Sequence, residues 1–180
     1  APKEAATLAF QFKQLEFAGN KALSSEQLGA LWPHQAGDTI TIEAVFTLAN
    51  TITKAYADAG YALCFGVVPE QDIKDGVVKI VVIEGFVSGV QVSQLAPRLR
   101  ARTAVDAQFR RLQASLPLRA DVLERNLLLM DDLPGWSAGS VLSASTTVVG
   151  GSDLQVDFTR EPDAFDLSWN NFLPKALDRQ

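Results

Sequence analysis

The sequence predicts an α+β chain made of two tandem βααββ units, each a three-stranded mixed sheet with two helices on one face. Three observations carry this. Apolar landmarks recur 75 residues apart: Phe12, Leu15 and Phe17 fall on Val87, Val90 and Val92, and Leu48 and Ile52 on Leu123 and Leu127. A glycine followed by an aromatic closes a helical pattern and opens a strand pattern twice, as Gly60-Tyr61 and Gly135-Trp136. Gly76 falls on Gly151, and Val81 and Ile83 on Val156 and Phe158. The units meet near Glu84 to Val87, giving 10–85 and 86–161, after a polar lead over 1–9 that suits a linker. The alternative is one α+β domain of about 160 residues, a common domain size.

Each element has a local reason. Phe10, Phe12, Leu15 and Phe17 form a strand pattern with a one-residue slip at Lys13-Gln14, as a bulge would give. Gly19-Asn20 is a turn signal, and Ser24 with Gln27 makes a capping box for a short helix that must stop before Pro33. From Thr41, Val45, Leu48, Ala49, Ile52 and Tyr56 recur at helical spacing until Gly60. Strands over 61–68 and 77–84 follow, joined by a polar loop at 70–75. In the second unit a helix opens near Asp121 and a strand opens at Trp136.

Composition narrows the function. Lys plus Arg is 16 and Asp plus Glu 21, a net charge of −5, which argues against a general nucleic-acid binder. Runs such as Ile80 to Ile83 and Leu127 to Met130 are too short to be membrane-spanning helices. No secretory leader pattern opens the sequence, so any signal peptide is expected to have been removed. The single Cys64 excludes a disulfide framework or a CxxC site, and the single His34 excludes a multi-histidine metal centre. With no second imidazole, a Cys–His nucleophile is disfavoured. Asp131-Asp132 are neighbours on a helix and point about 100° apart, so they form no acid–base dyad. No catalytic residue, metal or cofactor is expected.

After Pro162 the pattern changes: Phe165, Leu167 and Trp169 alternate with Asp166, Ser168 and Asn170. Such alternation suits one strand of an outer-membrane barrel, of which about eight are needed for closure. An extra edge strand on the second unit is the other reading.

The runs Ala59-Gly60-Tyr61-Ala62-Leu63, Val68-Pro69-Glu70-Gln71-Asp72-Ile73, Asp75-Gly76-Val77-Val78 and Val82-Ile83-Glu84-Gly85 resemble the first POTRA domain of two-partner secretion transporters, outer-membrane proteins of the Omp85 superfamily. Gly19 to Leu23 matches the turn after that domain's first strand. Leu123 to Leu129 with Leu133-Pro134-Gly135 is similar to the second POTRA domain. The resemblance implies tandem POTRA domains on the periplasmic face of a Gram-negative outer membrane, with 162–180 starting the first barrel strand. It also implies partners: an unfolded exported protein of haemagglutinin or haemolysin type, and the protein's own barrel. The alternatives are a POTRA region of the same superfamily serving barrel-protein assembly, and a structural spacer or gate with no direct client contact.

A partner bound by strand addition needs main-chain donors and shallow apolar pockets. The strand 61–68 would be a sheet edge, with Tyr61, Leu63, Phe65 and Val67 on one side and Ala62, Cys64 and Gly66 on the other. Tyr61, Leu63, Cys64, Phe65, Val67 and Gln71 are therefore the candidate client contacts, and Trp136 to Ala144 is their second-unit counterpart. Gln71 and Asp72 also suit a turn-holding role. Arg98, Arg100, Arg102, Arg110 and Arg111 gather basic charge on the second unit's first helix. That charge would serve a solvated face, lipid head groups, the barrel rim or acidic client segments. Glu84-Gly85 stands at the joint, where a carboxylate bonding backbone amides would set the angle between units, and a hinge is the expectation.

Overall fold

In the computed structural model, residues 8–73, 75–92 and 102–160 are described. The first unit opens with β1 (Ala9–Gln11) and β2 (Gln14–Ala18), then α1 (Ser25–Gly29), β3 (Thr39–Thr41), α2 (Ile42–Asp58), β4 (Phe65–Val67) and β5 (Val77–Ile83). The second contains β6 (Phe86–Val92), α3 (Arg102–Ala114), α4 (Ala120–Asp131), β7 (Trp136–Ala144) and β8 (Gly151–Arg160). Two three-stranded sheets result, ordered β2-β5-β4 and β6-β8-β7. In each, the last strand is central, parallel to the first and antiparallel to the edge strand. This is the predicted mixed α+β fold.

Local chemistry sets the helices. Ser24 accepts from the Gln27 N–H while the Gln27 side chain accepts from the Ser24 N–H, so the capping box forms. Thr41 caps α2, and the buried stripe Val45, Leu48, Ala49, Ile52 and Tyr56 packs it on the sheet. Each of the large side chains contributes about 1.5–3 kcal/mol by leaving water. Gly60 and Gly135 hold φ of +82° and +75° where helices give way to the edge strands, a conformation that favours glycine. Val78, Ile80 and Val82 face the first core; Leu154, Val156 and Phe158 face the second, with Val105, Leu112 and Met130.

Several expectations need correcting. The slip at Lys13 is a break between strands and not a bulge. β1 pairs antiparallel with β3, separately from β2, because the Lys13 and Gln14 N–H groups turn to the Gly76 carbonyl. Ala9 therefore belongs to a strand and not to the linker, and the Leu8 carbonyl accepts from the Ile42 N–H. The constant offset of 75 is an average. Ile80 and Val82 answer to Val156 and Phe158, 76 residues on, and Ile52 and Tyr56 to Asn126 and Met130, 74 residues on. Likewise Gly150, and not Gly151, holds the positive φ found at Gly76.

A further correction concerns the edge strand 61–68, which shortens to Phe65–Val67. Leu63 has φ +61°, a left-handed conformation that ends any extended run before it. A Cβ on Gly85 would stand 2.3 Å from the Leu63 carbonyl oxygen, so the residue opposite this kink is one without a side chain.

Candidate functional site: two sheet edges and a locked joint

The first-unit edge is nearly closed. In β4, Phe65 and Val67 lie opposite Ile83 and Val81 and stand 42% and 37% exposed. Gly66 turns its N–H outward, where the Thr53 hydroxyl on α2 accepts it at 3.0 Å and itself donates to the Ala49 carbonyl at 3.0 Å. A Cβ on Gly66 would come within 2.8 Å of that carbonyl oxygen, so α2 lies directly against the edge. Gln71 continues the pairing beyond β4 with its side chain. Its amide donates to the Lys79 carbonyl at 2.9 Å and accepts from the Lys79 N–H at 2.8 Å, as a neighbouring peptide would.

The other residues expected on this edge sit elsewhere. Tyr61 bridges to Arg119, whose guanidinium lies 5.7 Å from the ring centroid. Ala62 and Leu63 pack against the second unit's core. Cys64 is buried in the first core, and burial pushes its thiol pKa up. Of the expected contacts, Phe65 and Val67 are the ones that present an apolar surface on the edge strand itself.

The second-unit edge differs. β7 pairs with β8 over nine residues, from Trp136 opposite Arg160 to Ala144 opposite Ser152. Two bonds fix which amides face outward. The Ala138 N–H leaves the sheet for Asp131 Oδ1 at 2.8 Å, whereas the Ser145 N–H points inward to the Gly151 carbonyl. Alternation then places the N–H groups of Ser140, Leu142 and Ala144 on the open edge. Among the described residues no bond from outside the sheet reaches them. Gly139, Ser140, Ser143 and Ala144 are exposed and small, so backbone can approach closely. Asp131 was set aside as a catalytic group. It serves as a carboxylate stop on the edge, and its value could not be seen without the strand beside it.

At the joint the Glu84 carboxylate bonds backbone amides as expected, and both amides belong to the first unit. Glu84 Oε1 accepts from the Lys21 and Ala22 N–H groups at 2.6 and 2.7 Å and from the Tyr56 hydroxyl at 2.8 Å. Among the described residues three backbone bonds cross between units. The Ala62 N–H donates to Leu118 O, the Leu118 N–H to Gly85 O, and the Ala120 N–H to Gly60 O, at 2.8–2.9 Å. Leu118 is fully buried. Sequence reasoning missed Leu118 and Arg119, since nothing in a loop after α3 announces contact with residues far upstream.

Arg98 and Arg100 lie outside the described residues, as does the segment 161–180. Arg102 opens α3, and Arg110 and Arg111 are exposed on it. Among the described residues no group of three or more His, Cys, Asp or Glu is arranged to hold a metal, and no helix is long and apolar enough to cross a membrane.

Residues 10–85 match the family described as POTRA domain, ShlB-type. The heme/hemopexin transporter protein HuxB of Haemophilus influenzae strain Rd is 28% identical over 149 residues, covering 78% of this chain and 25% of that protein. HuxB of strain 86-028NP is 26% identical over 136 residues, 72% of this chain and 23% of that protein. The chain thus spans about a quarter of these relatives' length. Among solved structures, CdiB from Escherichia coli superposes with a TM-score of 0.68 at 20% identity, over 91% of this chain and 29% of that one. The N-terminal domain of Omp85 from Thermosynechococcus elongatus gives 0.62 at 20% identity, over 83% of this chain and 66% of that one. POTRA domains of this type are periplasmic extensions of outer-membrane transporters, which locates these residues. Residues 10–85 thus match a POTRA domain, and the HuxB relatives and the doubled sheet order make the chain as a whole similar to the tandem POTRA region of two-partner secretion transporters.

Proposed function

We propose that this region recognises an unfolded exported protein in the periplasm, by adding a strand of the client to the open edge of β7, and passes it to the protein's own barrel. The observation that carries this is the nine-residue β7 edge with outward N–H groups at Ser140, Leu142 and Ala144. An extended polypeptide satisfies such a row of donors and acceptors, and no catalytic side chain is needed. In this reading 10–85 and 86–161 are the two POTRA units, 162–180 enters the first barrel strand, and the protein is not an enzyme. The client is a large haemagglutinin- or haemolysin-like protein. The role of the HuxB relatives as heme/hemopexin transporters supports a transport function. The apolar pair Phe65 and Val67 is a secondary contact for the same client.

The test is calorimetric titration of the chain with the secretion-signal domain of the exported partner encoded beside it. Ser140→Pro removes an outward N–H and leaves the β8 pairing intact, so binding should weaken at least about tenfold with unchanged circular dichroism. Undiminished binding would overturn capture at β7. No binding to the folded wild-type chain would favour a spacer or gate that makes no client contact.

A further inference from the structure

On the helical side of the second unit, α3 and α4 enclose an open groove of about 690 Å³ whose lining includes Arg111, Ser115, Asp121, Val122, Arg125 and Asn126. Its charge is cationic in an acidic chain. Asp121 is engaged by the Arg119 guanidinium at 3.0 and 3.4 Å, and that contact holds its carboxyl below the usual range. Arg111 and Arg125 remain without a carboxylate partner among the described residues. The Ser115 hydroxyl is already committed, donating to the Pro117 carbonyl and accepting from the Arg119 N–H.

Asn126 decides what kind of anion fits. It is only 3% exposed, and its Nδ2 donates to the Val122 carbonyl at 2.6 Å. That bond fixes the amide's orientation, because turning it over would set oxygen against oxygen. Asn126 Oδ1 is then a buried acceptor with no hydrogen-bond partner, on a residue that lines the groove. A buried polar atom left in this state asks for a donor. A free carboxylate would answer the two guanidinium groups and leave Oδ1 unsatisfied, whereas inorganic phosphate keeps a P–OH donor at neutral pH and is therefore probed in parallel with the peptide. An acidic stretch of polypeptide answers both, with a carboxylate for the arginines and a backbone N–H for the amide oxygen.

We propose that the α3–α4 groove is a recognition site for an acidic peptide segment, its Asp or Glu carboxylate held by Arg111 and Arg125 and a neighbouring backbone N–H donated to Asn126 Oδ1. The site uses none of the outward β7 amides, so it is independent of strand addition and open to a second segment at the same time.

The test is a titration of the ¹⁵N-labelled 180-residue chain with an acetylated, amidated Gly-Asp-Glu-Asp-Glu-Gly peptide. Its Asn/Gln counterpart and inorganic phosphate serve as parallel probes, and resonances on α3, on α4 and of the Asn126 side-chain amide are followed. The acidic peptide should shift these resonances saturably. Arg111→Gln and Arg125→Gln, both at exposed positions, should each weaken it about tenfold, and 0.5 M salt should weaken it further. Three results would each overturn the proposal: equal binding of the neutral peptide, phosphate matching the acidic peptide at these residues, or unchanged affinity in both arginine variants.

Discussion

Beside the joint, Tyr56 and Glu84 form a hydrogen-bonded side-chain pair within the first unit. Tyr56 is fully buried, and its hydroxyl pKa is raised above the ordinary value of 10.0 by burial first and then by its hydrogen bond to Glu84. Below pH 10 the hydroxyl is neutral in both the folded and the unfolded chain. Above it, the unfolded chain loses a proton that the fold retains, so stability falls as pH rises. Tyr56→Phe should cost about 1–2 kcal/mol at neutral pH through the lost bond, yet flatten the alkaline decline. Urea unfolding at pH 8, 10 and 11 would check both. Gly85→Ala should be worse for a purely steric reason, since its Cβ would sit 2.3 Å from the Leu63 carbonyl oxygen, well inside any real contact. A fall in melting temperature of several degrees, at about 2–4 °C per kcal/mol, is the expected reading.

At the scale of elements, β4 and β7 show how equivalent strands acquire different uses. In β4 the outward N–H is taken by Thr53, and α2 leaves no room for a side chain at Gly66. In β7 the Leu133 carbonyl takes the Trp136 N–H and the Asp131 carboxylate the Ala138 N–H, and among the described residues the outward groups from Ser140 onward are open. Thr53→Val should cost about 1–2 kcal/mol by orphaning the Gly66 N–H, and it should leave client affinity where it was. Thermal melts paired with the calorimetric titration would separate the two effects. Helix α2 was legible in the sequence because its stripe obeys one period and ends on Gly60. The strand 61–68 was not, because alternation of side chains holds through Leu63 on paper while its φ of +61° breaks the strand in space. The apolar set Tyr61, Ala62 and Leu63 looked like an edge for the same reason that it makes a good interface: both bury hydrophobic side chains against something outside the unit.

For the molecule as a whole, the repeat was readable and the joint was not. Repetition shows in spacing, so the doubled element order followed from Phe12, Leu48 and Gly60 and their counterparts. Single-residue shifts between helix and strand were averaged into the offset of 75. The bracing depends on Leu118 meeting Gly85 and Ala62, a contact across sequence with no periodic signal. Leu118→Ala should therefore cost about 2–5 kcal/mol, a core penalty for a residue in a loop. It should also widen the distribution of inter-unit angles, which small-angle scattering of the variant and the wild type would reveal.

The three bonds made by residues 118–120 also bear on how the chain is completed in time. Gly60, Ala62 and Gly85 belong to the first unit, yet the groups that satisfy them are supplied by a loop 33 residues after Gly85. A chain emerging N-terminus first thus presents a first unit whose lower end stays bare, with the Gly60 and Gly85 carbonyls and the Leu63 side chain facing water. That end is finished when the loop after α3 arrives and docks. Maturation of the first unit then waits on synthesis of the second, and the pair stands or falls as one cooperative body rather than as two beads on a string.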